Sequence, residues 1–217
     1  MSKSDKKAFR KDDKNAPHAQ AGSGVSTLRP VHSPLPSEGN PAAMTDVKTL
    51  RERARKSIDD GAVTDSYTLD RKVVVRLLNE ALATEWVCVL RYYRHYFMAS
   101  GMMADSVKAE FLEHAQQEQA HATMLAERIV QLGGEPDLDP DTLTSRAHAE
   151  YKPGHDLRDM VKENLIAERV AIDSYREMIN YVGDRDTTTK RILMEVLAQE
   201  EEHADDMADL LDGWVGK

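Results

Sequence analysis

A chain of 217 residues with 6 % aromatic residues, one cysteine and a net charge of −9 excludes several classes at once. The acidic balance argues against a wholly basic nucleic-acid binder, and Cys88 alone can build neither an internal disulfide framework nor a multi-cysteine zinc site. No apolar run approaches the ~18 residues of a membrane span and no early stretch reads as a signal peptide, so a cytoplasmic protein with no membrane partner is expected.

Residues 1–16 hold six basic groups (Lys3, Lys6, Lys7, Arg10, Lys11 and Lys14) against Asp5, Asp12 and Asp13, a local net charge of +3. From there to about Pro41 the chain is Ser, Gly, Pro and Ala with almost nothing large to bury. Such a segment cannot offset the entropy of its own ordering, so residues 1–45 read as a disordered tail, with Met44 an alternative start. Residues 46–59 then read as a short polar helix and 60–69 as a linker.

From Asp70 onward the periodicity is long and helical. Four helices are expected, over 70–100, 105–132, from a cap near His155 or Asp156 to Val182, and 187–211. Glycines stand just past each, at Gly101, Gly133, Gly134, Gly183 and Gly213, where a helix is expected to stop. Segments of ~25–30 residues span roughly 40–45 Å at 1.5 Å per residue. Two short turns and one long connection, EPDLDPDTLTSRAHAEYKPG, fit an all-α four-helix bundle over residues 70–212 with a crossover between its second and third helices, followed by a short C-terminal end at 213–217.

Read at steps of three and four, each helix presents a mostly apolar stripe with a glutamate near its middle: Glu85, Glu118, Glu168 and Glu200. Four carboxylates in one bundle core are costly unless something neutralises them. Glu118-Gln-Ala-His121 and Glu200-Glu-Glu-His203 are both E-x-x-H, which puts carboxylate and imidazole on one face. Chance supplies about 0.6 such matches in a chain of this length, so one alone means little. The pairing carries the weight. Glu85 precedes Glu118 by 33 residues, Glu168 precedes Glu200 by 32, and each lone glutamate is followed seven residues later by a tyrosine, Tyr92 or Tyr175. A Glu from each of two helices with Glu-x-x-His from the other two is the ligand set of di-iron carboxylate bundles. Carboxylate and imidazole also suit manganese and zinc.

Through LNEALATEWVCVLRYYRHY, EQAHATMLAERIVQLGGEPDL, LIAERVAIDSYREMINY and EVLAQEEEHADDMADLL the sequence resembles the ferritin-like superfamily, in its bacterioferritin and Dps-like branch. The resemblance implies two iron ions held by Glu85, Glu118, His121, Glu168, Glu200 and His203, with Glu118 and Glu200 bridging. It further implies a ferroxidase that oxidises Fe(II) with oxygen or hydrogen peroxide, and storage of iron inside a homo-oligomeric shell. Tyr92 matches the family's redox-active tyrosine. Haem is not expected, because Gln119 stands where the family's haem-binding methionine would be; Met124 is the next thioether to consider. The chain ends at Lys217, too early for the family's fifth helix, and Asp206 stands at the place of a family tryptophan. Shell size, of 12 or 24 subunits, is therefore left open.

Other residues read more plainly. Cys88 is expected to be a buried core thiol, His114 a core histidine or a transit ligand. His148, Glu150 and His155 could line an access pore, while Met98, Met102 and Met103 suit packing at a helix end or a subunit contact. Rival functions are a di-metal catalase or peroxidase without storage, and a DNA-protecting mini-ferritin whose basic tail binds phosphates.

Overall fold

The computed structural model describes residues 44–214; the tail expected over 1–45 lies almost wholly outside them. Regular structure among the described residues is helical throughout: α1 (Val47–Arg53), α2 (Arg71–Met98), α3 (Ala104–Gln131), a single turn α4 (Leu143–Arg146), α5 (Leu157–Val182) and α6 (Thr187–Asp212). The 28-residue α2 and α3 pack as one hairpin and the 26-residue α5 and α6 as another. Contacts of α2 with α5 and of α3 with α6 join the hairpins into a four-helix bundle. None of the described helices is long and apolar enough to cross a membrane.

Aspartate caps decide where three of the long helices begin. Asp70 accepts from Lys72 N, Asp156 from Asp159 N and Asp186 from Thr189 N, each satisfying a backbone donor that the first turn leaves free. The expected glycine stops hold at Gly133 and Gly183, which take left-handed φ of +75° and +52°. Gly213 instead stays in the right-handed region at φ −58°, so α6 ends without a left-handed residue. The short polar helix is also shorter than expected. α1 buries no residue, so no packed face extends it past Arg53, and a 3-10 turn at Ile58–Asp60 follows.

The core is divided. Leu78, Leu82, Leu125, Ile129, Val196 and Met178 fill one end of the bundle, and Val107, Phe111, Val161 and Met207 fill the other. The polar centre lies between them. The long crossover from α3 to α5 is stitched to α2 by a row of polar side chains. Asn79 bonds Glu135 O and Asp137 N at 3.1 and 2.8 Å, and Thr84 Oγ1 accepts from His148 N at 2.9 Å. Arg91 and His95 reach Glu150 O and Lys152 O at 3.2 Å each. Arg91 is fully buried, its Nε–H donating to Asn164 Oδ1 at 2.8 Å. The crossover carbonyls that leave water thus find donors on α2.

At the α5–α6 turn, the buried Arg128 guanidinium meets both oxygens of Asp186 at 2.9 and 3.1 Å. Removing one member of such a pair leaves an uncompensated buried charge. Asp186→Ala is therefore expected to cost about 3 kcal/mol in urea unfolding, and Asp186→Asn, which keeps the helix cap, less. Equal stability of Asp186→Ala and the parent chain would contradict this account of the turn.

Candidate metal centre

All six residues expected to bind metal are brought together, and all six are buried, Glu85 and His203 at 1 % exposure and the rest at 0 %. Helical phase does this: Glu85 sits mid-α2, Glu168 mid-α5, and the E-x-x-H pairs present Glu118 with His121 and Glu200 with His203 on the inner faces of α3 and α6. Two donor sets result. Glu85, Glu118, His121 and Glu200 form one, and Glu118, Glu168, Glu200 and His203 the other, with the ligand atoms of each within 4.8 Å of one another. Glu118 and Glu200 belong to both.

Around His121, Nδ1 lies 2.9 Å from Glu200 Oε1, 3.2 Å from Glu85 Oε2 and 3.6 Å from Glu118 Oε2. His203 Nδ1 stands 3.7 and 3.8 Å from Glu118 and Glu200. Both oxygens of Glu118 and of Glu200, Oε2 of Glu168 and Nδ1 of His203 have no hydrogen-bond partner among the described residues. Buried polar atoms without a well-formed hydrogen bond are expensive. Here they face one another, which is the arrangement a pair of cations resolves.

The surroundings repeat the two-fold pattern. Tyr92 on α2 donates to Glu168 Oε1 at 2.5 Å, and Tyr175 on α5 donates to Glu85 Oε1 at 2.6 Å. His121 Nε2–H donates to Gln199 Oε1 at 2.5 Å, and His203 Nε2–H to Gln117 Oε1 at 2.7 Å. A carbonyl oxygen only accepts, so each Nε2 carries a proton and each Nδ1 turns inward toward the carboxylates. Gln117 and Gln199 escaped the reading of the sequence. Each immediately precedes a shared glutamate, so the motif is Gln-Glu-x-x-His in both hairpins; that repeat was the available signal.

Electrostatics follow the same division. Burial, reinforced by the Glu118 and Glu200 charges, holds Glu85 and Glu168 well above the usual carboxylate range. Burial acts the same way on Glu118, but its close contacts with His121 and His203 outweigh it and take the group well below that range. In Glu200 burial and the Glu118 charge are overcome by the same two imidazoles, and its pKa falls. Burial alone would lower the imidazoles; the surrounding carboxylates instead raise His121 far above the ordinary value and His203 to about 11. Burial and the neighbouring carboxylates keep the Tyr92 and Tyr175 hydroxyls protonated, so they serve as donors.

The remaining candidates are placed as follows. Cys88 is a buried thiol between Ala149 and Ala167 that accepts from Arg91 Nη2 at 3.4 Å. His114 is buried, gives its Nδ1–H to the Tyr92 oxygen at 3.1 Å and stacks on His203 with ring centroids 4.0 Å apart. His148, Glu150 and His155 are exposed and separate, with His148 Nε2 3.9 Å from Glu80. Met98, Met102 and Met103 are exposed at the α2–α3 turn, and Gln119 is exposed on α3.

Residues 75–214 match the ferritin-like domain family. The chain belongs to the ferritin-like family. This ferritin-like chain is 30 % identical to the DNA protection during starvation protein of Pyrococcus furiosus over 149 residues, which cover 67 % of it and 80 % of that relative. It is 27 % identical to the bacterioferritin of Mycobacterium bovis over 133 residues, 61 % of this chain and 79 % of the other. Among solved structures it resembles a dodecameric thioferritin, the bacterioferritin-related protein of Bacteroides fragilis, at 36 % identity and a TM-score of 0.66, covering 68 % of this chain and 89 % of that one. These matches place it in the bacterioferritin and Dps-like branch.

In the absence of metal the shifts favour protons on Glu85, Glu168 and the two imidazoles, balanced by the Glu118 and Glu200 carboxylates. Two divalent cations replacing those protons leave the core neutral again, so binding is expected to release about four protons per chain. Because Glu85 and Glu168 have raised pKa values, the stability they lend the metal-free bundle is present at low pH and is lost as pH rises through those values. Metal affinity should rise with pH over the same window. Calorimetric titration with Zn(II) in two buffers of different ionisation heat measures the release; a count near zero would contradict this charge assignment.

Proposed function

We propose that the chain is a ferroxidase: it takes two Fe(II) ions as substrate, oxidises them with oxygen or hydrogen peroxide, and stores or detoxifies the iron. The observation that carries this reading is the pair of donor sets that share Glu118 and Glu200, with buried carboxylate oxygens left unpartnered between them. Each Fe(II) gives up one electron, so the pair supplies the two electrons that reduce oxygen to peroxide or peroxide to water.

The residues divide the work. Glu118 and Glu200 serve both ions, and their two negative charges favour the more highly charged oxidised metal. Glu85 and Glu168 each serve one ion, steadied by the Tyr175 and Tyr92 hydroxyls. Gln199 and Gln117 hold the His121 and His203 rings with Nδ1 inward. Tyr92, in contact with Glu168, is also placed to give an electron. The same ligand types accept manganese or zinc, so metal supply and geometry select iron. Assembly into a homo-oligomeric shell is part of the proposal. The Bacteroides fragilis relative is described as dodecameric, and Phe97, Met98 and Met102 leave 73 %, 54 % and 100 % of their surface exposed.

Glu118→Ala and Glu200→Ala are expected to slow Fe(II) oxidation at least a hundredfold, read by stopped-flow absorbance, while circular dichroism stays helical. Parent-like rates in both variants would remove the assignment. Oxygen evolution from peroxide by metal-loaded protein, without Fe(II) oxidation, would favour a catalase instead.

A DNA-protecting role is a second reading, favoured by the +3 charge of residues 1–16 and by the name of the Pyrococcus furiosus relative. Many weak cationic arms on one shell would bind DNA by multivalency, with steep salt dependence. Gel retardation that is lost at moderate salt, and absent when the chain starts at Met44, is the expected result. Equal mobility of DNA with both proteins at low salt would end this reading.

A further inference from the structure

A second group of ligand atoms lies on the far side of His203 from the central pair. Glu110 and His114 are one turn apart on α3, and Asp206 faces them from α6, one turn beyond His203. One atom of each lies within 4.8 Å of the others. His114 Nε2 is 3.3 Å from Asp206 Oδ2 and 3.9 Å from Glu110 Oε2.

Hydrogen bonding fixes which atom of His114 serves this group. The Tyr92 hydroxyl has one proton and gives it to Glu168. The His114 Nδ1–H therefore donates to the Tyr92 oxygen, and Nε2, which lies within hydrogen-bond distance of Asp206 Oδ2, is the ring atom that faces the two carboxylates. The His114 side chain is 2 % exposed, so packing holds it in that pose, whereas Glu110 and Asp206 are 39 % and 45 % exposed. One side of the group is thus rigid and buried, and the other is open to water.

We propose that Glu110, His114 and Asp206 form a third divalent-cation site, separate from the central pair. One imidazole nitrogen and two carboxylate oxygens suit a first-row transition ion, and the open side leaves room for coordinated water. The ion would stand one imidazole stack from the centre, because the His114 and His203 rings lie 4.0 Å apart and 20° from parallel. From there it is placed to pass Fe(II) inward, a role that, unlike the binding itself, rests on the ferroxidase reading.

Equilibrium dialysis against Co(II) tests the binding, using the parent chain, Glu110→Gln, Asp206→Asn and the double variant. Both altered side chains are partly exposed, so the fold is expected to tolerate the changes, and circular dichroism checks this. The parent should retain one Co(II) per chain more than the double variant, with each single variant at least tenfold weaker for that ion. Equal uptake by the parent and the double variant overturns the third site. A Glu118→Ala chain that takes up as much Co(II) as the parent would instead count against the central pair, leaving the difference at Glu110 and Asp206 to be judged on its own. For the inward role, Asp206→Asn should raise the Fe(II) concentration giving half-maximal oxidation several-fold; an unchanged value overturns that role.

Discussion

Four glutamates at the middle of an apolar bundle are the constraint to which the rest of the molecule answers. Ionised carboxylates in a low-dielectric interior cost several kcal/mol apiece unless opposite charge reaches them. Here two apolar clusters close the bundle on either side of the carboxylates, so water cannot supply that charge. The pKa shifts favour protons in that role where metal is absent, and two divalent cations would fill it in their place. Either arrangement would leave the centre electrically neutral.

Around that constraint the two hairpins behave as copies related by a two-fold axis. Each supporting bond crosses from one copy to the other: Tyr92 to Glu168, Tyr175 to Glu85, His121 to Gln199 and His203 to Gln117. The hairpins are thereby locked in register by the same side chains that aim the ligands. The symmetry breaks at His114. Its contact with Tyr92 and its stack on His203 occur on one side of the pair, so the two halves of the centre have different neighbours.

Much of this was legible in the sequence because helical periodicity and ligand spacing are local properties. Glu118-x-x-His121 and Glu200-x-x-His203 declare their shared face through the 3.6-residue repeat alone, and the matched 33- and 32-residue intervals declare the hairpins. The Gln117 and Gln199 partners could have been read from the same repeat. The buried Arg91, His95 and Asn164 network could not, since it joins α2 to α5 and to crossover carbonyls whose path no local pattern specifies. The helix expected over 46–59 ends at Arg53: helix propensity is visible in a sequence, and the lack of a packing partner is not. Of the tail expected over 1–45, residues 1–43 lie outside those the structure describes.

Anomalous diffraction at the iron edge, from crystals soaked anaerobically in Fe(II), addresses the charge constraint most directly. Two peaks per chain are expected in the bundle centre, each bordered by Glu118 and Glu200, one beside Glu85 and His121 and the other beside Glu168 and His203. A centre with a single peak, or with none while iron sits elsewhere, would contradict the account.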